Sequence, residues 1–291
     1  MFLGMFYKLT KIIIQCPSCK NKGHIDVSEE QLRNVKRGLL AINIPQGNVC
    51  EHTFITYLDK NLVIRDYFIA DYQFQVVLPE IEALEEKKDV IIPEQYLTNL
   101  NLVKLNVSAN LMAYLLKSIF IKKKILLLSE DSFLNNIILN FFEYLTQDTF
   151  DIDITFLSDE QYKQESKKYK EYMVFDGTKI IRNVNKSINL KKLTIEKQIV
   201  QKFISEIDLN SSLLYLKNDI QKVYFLAKSI VDIINNQYKN EKINILKINK
   251  NLEESHNTKI NNLYLEFLVE IVKNYFGINV PSIFESFHDL L

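Results

Sequence analysis

Residues 105–129 read Leu105-Asn-Val-Ser-Ala-Asn-Leu-Met-Ala-Tyr-Leu-Leu-Lys-Ser-Ile-Phe-Ile-Lys-Lys-Lys-Ile-Leu-Leu-Leu-Ser129. From Ser108 the apolar positions Leu111, Met112, Leu115, Leu116, Ile119 and Phe120 recur at the spacing of one helix face. Lys122–Lys124 end that pattern, as cations favour a helix C-terminus. Ile125–Leu128 is then a short, unbroken apolar run, which suits a strand buried on both faces. A helix feeding such a strand is the unit of an α/β layer.

The pattern continues downstream. A second amphipathic helix is expected over 132–147, with Phe133, Leu134, Ile137, Ile138, Phe141, Phe142 and Leu145 on one stripe. Ile152–Leu157 and Tyr172–Phe175 read as further strands, and Asp176-Gly177 turns the chain into Lys179–Arg182. Glu160–Glu171 reads as a polar helix or loop. Beyond Leu190 the spacing is helical over 194–206 and 210–238. A short strand, Ile243–Ile248, and a polar run, Asn249–Asn257, come before a last helix at 259–276 that Gly277 stops.

Upstream the chain is mostly β. Residues 8–15 and Gly23–Val27 read as strands, 29–38 as a short helix, and Leu39–Ile44 as a strand. Val49–Leu58 and Leu62–Val77 form a hairpin around Asp59-Lys60-Asn61, where Asn61 accommodates the positive φ of a tight turn. Arg65 and Asp66 suggest a local ion pair. The charged run 80–89, bracketed by Pro79 and Pro93, marks a module boundary. The fold class expected is α+β. A mostly-β module over 1–90 precedes an α/β layer of three or more strands and a helical C-terminal part over 91–291.

The three cysteines of the chain are Cys16, Cys19 and Cys50. Cys16-Pro-Ser-Cys19 puts two thiolates on one side of a turn, where both reach an ion at about 2.3 Å. Cys50 and His52 are two apart at the head of a predicted strand, so their side chains share a face. Together they make a Cys₃His set, a closed zinc composition, and the flanking strands would form a zinc ribbon or similar clip. His24 is a competing nitrogen ligand. The bland alternative is three small core residues. A redox C-x-x-C fits less well, because strand material lies on both sides of it. Four protein ligands make the zinc structural rather than catalytic.

Composition narrows the function. Lys and Arg total 36, as do Asp and Glu, and each third of the 291 residues is balanced to within one charge. Nucleic-acid binding is therefore the minority expectation, since phosphate contacts need a positive face. Six glycines and no G-x-G-x-x-G or G-x-x-x-x-G-K-[ST] exclude the Rossmann fingerprint and the P-loop. No run of 18 apolar residues suggests a membrane span, and the cysteine usage suggests a cytoplasmic protein. Asp151 and Asp153 read as a solvated strand entrance, and His256 and His288 as surface residues. No nucleophile has an evident base, so an enzyme is the less favoured class.

Residues 105–129 resemble the central part of DENN domains, in which a helix ends in charged residues, enters an apolar strand and closes on Ser. The helix Phe133–Tyr144, the strand Ile152–Leu157 and the segment Glu171–Ile181 follow in that family's order. The resemblance covers about 100–185. It implies a longin-like module in the first third and, as partner, a Ras-like small GTPase for which this chain is a regulator or scaffold. The segment between Leu157 and Tyr172 lacks the proline-rich strand of that family, and the Cys/His set is foreign to the longin pattern. Separately, 16–72 are similar to uncharacterised archaeal proteins with C-P-x-C, C-x-H and then a hairpin with a segment like Ile64-Arg-Asp-Tyr67. That similarity supports zinc. The rival function is a zinc-ribbon nucleic-acid-binding or transcription accessory protein.

Overall fold

The computed structural model describes residues 9–28, 39–45, 47–52, 54–69, 78–79, 94–237 and 244–281. The expected helix at 29–38, the boundary run 80–89 and His288 lie outside them. The chain is α+β, with strand sheets first and helices last.

β1 (Leu9–Gln15) and β2 (Lys22–Ser28) pair antiparallel from Leu9 opposite Ser28 to Gln15 opposite Lys22. Their alternation gives one wet face, with Ile13 opposite His24, and one dry face of Ile12, Ile14 and Val27. β3 (Leu40–Ile44), β4 (Phe54–Leu58) and β5 (Ile64–Ile69) form an antiparallel meander with β4 in the middle.

Every residue of β4 is buried, and the two-residue period explains how. Phe54 and Leu58 enter a small core with Ile12, Ile14, Cys16, Val27 and Ile44. Ile55 and Tyr57 enter the large core of the helical part. One strand thus belongs to two cores. The meander is tied to the helices by polar contacts as well, because the Ala109 N–H donates to Asp66 Oδ2 at 3.0 Å.

The β4–β5 hairpin is held by Asp59. Its Oδ1 accepts the N–H groups of Asn61 and Val63 at 2.8 and 2.9 Å. Its Oδ2 takes the Arg65 guanidinium through Nε at 2.8 Å and Nη2 at 2.6 Å. Two expectations change here. Arg65 pairs with Asp59 rather than Asp66, whose oxygens hold the amides of Tyr67 and Ala109. The positive φ falls on Leu62, at 64°, and not on Asn61, whose amide the Asp59 carboxylate holds.

α1 (Glu94–Asn106) and α2 (Ala109–Phe120) lead into the α/β layer, with Ser108 capping α2 through Leu111 N–H. β6 (Lys124–Leu128), α3 (Ser132–Thr146), β7 (Ile154–Leu157), α4 (Asp159–Glu165), β8 (Tyr172–Asp176) and β9 (Lys179–Arg182) follow. The sheet order is β7-β6-β8-β9. β6 runs parallel to both neighbours, and β9 returns antiparallel. As the apolar run requires, Ile125, Leu126 and Leu127 are buried. α1 was not anticipated. Asn99, Asn101 and Asn106 are weak helix formers, yet Leu100 and Val103 bury its inner side.

The C-terminal part comprises α5 (Thr194–Ser205), α6 (Leu209–Gln237), α7 (Ile245–His256) and α8 (Asn262–Asn274). α7 replaces the expected strand 243–248 and polar run 249–257. The Asn244 side chain accepts the N–H groups of Leu246 and Lys247, which starts a helix. Ile245, Ile248 and Leu252 then form its buried stripe, and the polar residues are its wet side. After α8, Gly277 sits at φ 73° and the Ile278 N–H closes back on Val272.

Lys117, buried on α2, pairs with a buried carboxylate on α5 and a half-exposed one on α8. Lys117 Nζ lies 3.2 Å from Glu196 and 2.7 Å from Glu270. Burial raises the Glu196 carboxyl above the usual range despite Lys117. None of these positions betrays itself in the sequence, since each sits among ordinary helix residues.

Candidate metal centre

The chain leaves β1 at Gln15 and turns at once. The Lys20 N–H donates to the Cys16 carbonyl at 3.0 Å, and the Cys16 N–H to the Asn21 carbonyl at 2.8 Å. Lys20 takes the left-handed conformation, φ 65°, that closes the turn. The turn is a knuckle that presents Cys16 and Cys19 together while β2 returns beside β1.

The second pair comes from the loop before β4. Gly47, at φ 92°, donates its N–H to the Cys50 carbonyl at 2.8 Å. Cys50 and His52 converge through a bend, because β4 begins only at Phe54. The shared strand face expected from their spacing is not the mechanism. His52 Nδ1 stands 3.6 Å from Cys50 Sγ, and the His52 N–H points at the same sulfur at 3.4 Å.

The donor atoms of Cys16, Cys19, Cys50 and His52 all lie within 4.8 Å of one another. These four are close enough to bind one metal ion. A tetrahedron with metal–sulfur bonds of about 2.3 Å and metal–nitrogen bonds of about 2.0–2.1 Å has S···N edges of roughly 3.5–3.6 Å. The Cys50–His52 separation matches that edge. The site is graded in depth: Cys16 is buried, Cys50 half-buried, and Cys19 and His52 exposed. His24 stays on the exposed face of β2, opposite Ile13, and is not in the group.

The surroundings favour thiolate at Cys16. Burial raises the Cys16 thiol, but the amides of Cys19 and Ser18 and the neighbouring thiols outweigh it and bring it below the ordinary value. Cys50 is pushed up to about 11, first by desolvation and then by the adjoining sulfurs. An ion reverses this, since a coordinated thiol is deprotonated outright. Binding therefore releases protons.

Three supporting residues were not found by motif reading. Gly23 on β2 faces Val49, with room for no side chain: a Cβ there would stand 2.6 Å from Val49 Cγ2. The Gln15 N–H, beside Cys16, donates to Tyr67 Oη at 3.1 Å. Tyr67 in turn packs against Phe54, ring centroids 6.1 Å apart. Gly23, Gln15 and Tyr67 thus hold the knuckle, the second loop and the meander in one register.

No protein-family model, no curated protein and no solved structure matches this chain. Among the described residues, no helix is long and apolar enough to cross a membrane.

Proposed function

We propose that this chain is a non-enzymatic interaction protein, stapled by one structural zinc ion, that regulates or scaffolds a Ras-like small GTPase in the cytoplasm. The observation that carries the first half is the convergence of Cys16, Cys19, Cys50 and His52. Three thiolates and an imidazole suit zinc, which takes such mixed tetrahedral sets in closed structural sites. Four protein donors complete the tetrahedron, so no position is left for water or substrate. The ion would join the β1–β2 hairpin to the loop entering β4, the strand that both cores share.

The partner class rests on the DENN resemblance of about 100–185. An exchange factor or scaffold of that kind offers a surface and no covalent chemistry. The zinc would rigidify the module beside that surface. The test is capture of partners by the zinc-loaded full chain from its native host, followed by nucleotide release from each recovered GTPase. Recovery of a small GTPase whose nucleotide exchange or retention changes with the chain present supports the reading. Repeated recovery of nucleic acid or transcription proteins and no GTPase overturns it in favour of the rival.

A further inference from the structure

The donors of the metal centre are shielded unequally. Cys16 is buried, and the amides of Ser18 and Cys19 point at its sulfur. Cys50 is half-buried, and its sulfur accepts the His52 N–H at 3.4 Å. Cys19 is exposed, and among the described residues no amide bonds to its sulfur. An amide that donates to a thiolate withdraws charge from it, so the sulfur without one stays the most nucleophilic. The neighbourhood of Cys19 acts in the same direction. The Lys20 ammonium is held against the same turn, donating to the Pro17 carbonyl at 3.1 Å. Segment 15–23 holds Lys20 and Lys22 and no carboxylate, whereas the Cys50 loop carries the exposed Glu51. Exposed thiolates beside cations are the ones that oxidants attack first. The sulfurs of Cys16 and Cys50 both stand within 4.8 Å of Cys19 Sγ, in reach of an oxidised Cys19.

We propose that Cys19 is a modification site for hydrogen peroxide, and that its oxidation releases the zinc and opens the clip reversibly. The zinc-bound Cys19 thiolate attacks one peroxide oxygen. An S–O bond forms, the O–O bond breaks, and hydroxide leaves. The sulfur gives two electrons to the peroxide and becomes a sulfenic acid. The thiolate of Cys16 or Cys50 then attacks that sulfur, forming a disulfide and expelling a second hydroxide. Two of the three thiolates are thereby lost to the ion, and one cysteine with His52 does not make a closed site. Without the ion, the β1–β2 hairpin is no longer tied to the loop entering β4. A dithiol reductant returns the disulfide to two thiolates, and zinc closes the clip again. The inference rests on the zinc reading and is independent of the GTPase reading.

The test treats the zinc-loaded full chain with a few equivalents of hydrogen peroxide. Zinc release is read with a chromogenic chelator, and the oxidised cysteines are mapped by mass spectrometry, with and without a sulfenic-acid trap. Most of the zinc should be lost, with the trap on Cys19 and Cys19 in every early disulfide. Dithiol and added zinc should then restore about one zinc per chain. Cys19→Ser is expected to lose the metal, so the companion variant is Cys19→His, whose Cys₂His₂ set suits zinc without a thiolate at the exposed position. It should keep its zinc in peroxide that empties the parent. The mapping is read on the parent and decides even where the His variant does not load. Zinc that the parent retains in peroxide, a Cys16–Cys50 disulfide with Cys19 unmodified, release as fast from a loaded His variant, or loss that dithiol and zinc do not reverse overturns the proposal. A reduced parent that never carries zinc sinks the zinc reading itself, which keeps the two failures apart.

Discussion

Gly23 and Val49 are in such close register that a Cβ on residue 23 would stand 2.6 Å from Val49 Cγ2 and 3.3 Å from its Cβ. Val49 is stiff at χ1 and adjoins Cys50, so relieving such a clash would disturb the loop that carries Cys50. β2 and the second ligand loop are therefore in contact by virtue of a missing side chain.

Replacing Gly23 with Ala should displace the Cys50 loop and cost about 1–3 kcal/mol, the usual penalty of overpacking. Zinc should pass to a chromogenic chelator faster from this variant than from the parent. Equal transfer rates and equal melting temperatures would show that the loop is not held at this contact.

The cysteine set itself is legible in the sequence, because C-P-S-C and C-x-H carry their spacing on their face. The spacing from Cys50 also puts His52 in the set ahead of His24, but the bend before Phe54 that turns it toward the sulfur is announced by no local pattern. Burial on both faces of β4 is likewise hidden, since Phe54-Ile-Thr-Tyr-Leu58 reads as a simple strand. Only the presence of a second core behind Ile55 and Tyr57 makes it central. The strand expected at 243–248 failed for a related reason. Ile245 and Ile248 are three apart, and over so short a span an apolar pattern does not distinguish helix from strand. The Asn244 cap decides it. The parallel order of β7, β6 and β8 agrees with the expected α/β layer because the unbroken run at 125–128 required cover on both faces.

Asp59 is the organising residue of the β4–β5 hairpin, and its removal should be felt there. Burial alone would raise its carboxyl, but the Val63 and Asn61 amides and the Arg65 guanidinium outweigh that and hold it below the ordinary value. A carboxyl lowered by folding stabilises the protein above the unfolded value, here about 3.8. That stability is lost as pH falls through the lower folded value. Asp59→Asn should cost about 1–2 kcal/mol in urea unfolding at pH 7, discounted because Arg65 is half-exposed. The difference from the parent should shrink on acidification below the ordinary aspartate value. A difference that persists unchanged at low pH would remove the charge from the explanation.

Lys104 gives the opposite sign. Its ammonium is almost fully buried, lies 4.9 Å over the Phe203 ring and donates to the Glu206 carbonyl at 2.8 Å. Desolvation lowers it to about 8, against the pull of Glu206 and Asp208. A lysine lowered by folding destabilises the native state while it is charged, and the penalty is relieved as pH rises from about 8 towards 10.5. Lys104→Met should therefore be about 1–3 kcal/mol more stable at pH 7. It should also lack the parent's relative gain in stability between those two pH values. A destabilised Met variant would mean that the Glu206 contact outweighs the cost of burying the charge.

The central claim is that Cys16, Cys19, Cys50 and His52 hold one zinc ion that maintains the N-terminal module. Elemental analysis of the purified chain beside its Cys19→Ser variant, each followed by thermal unfolding with and without a strong chelator, tests it most directly. About one zinc per chain is expected in the parent and little in the variant. Chelation should melt the β module while most helical signal remains, because metal binding is coupled to folding. A parent that carries no zinc, or one that keeps its full stability after complete chelation, would contradict the account.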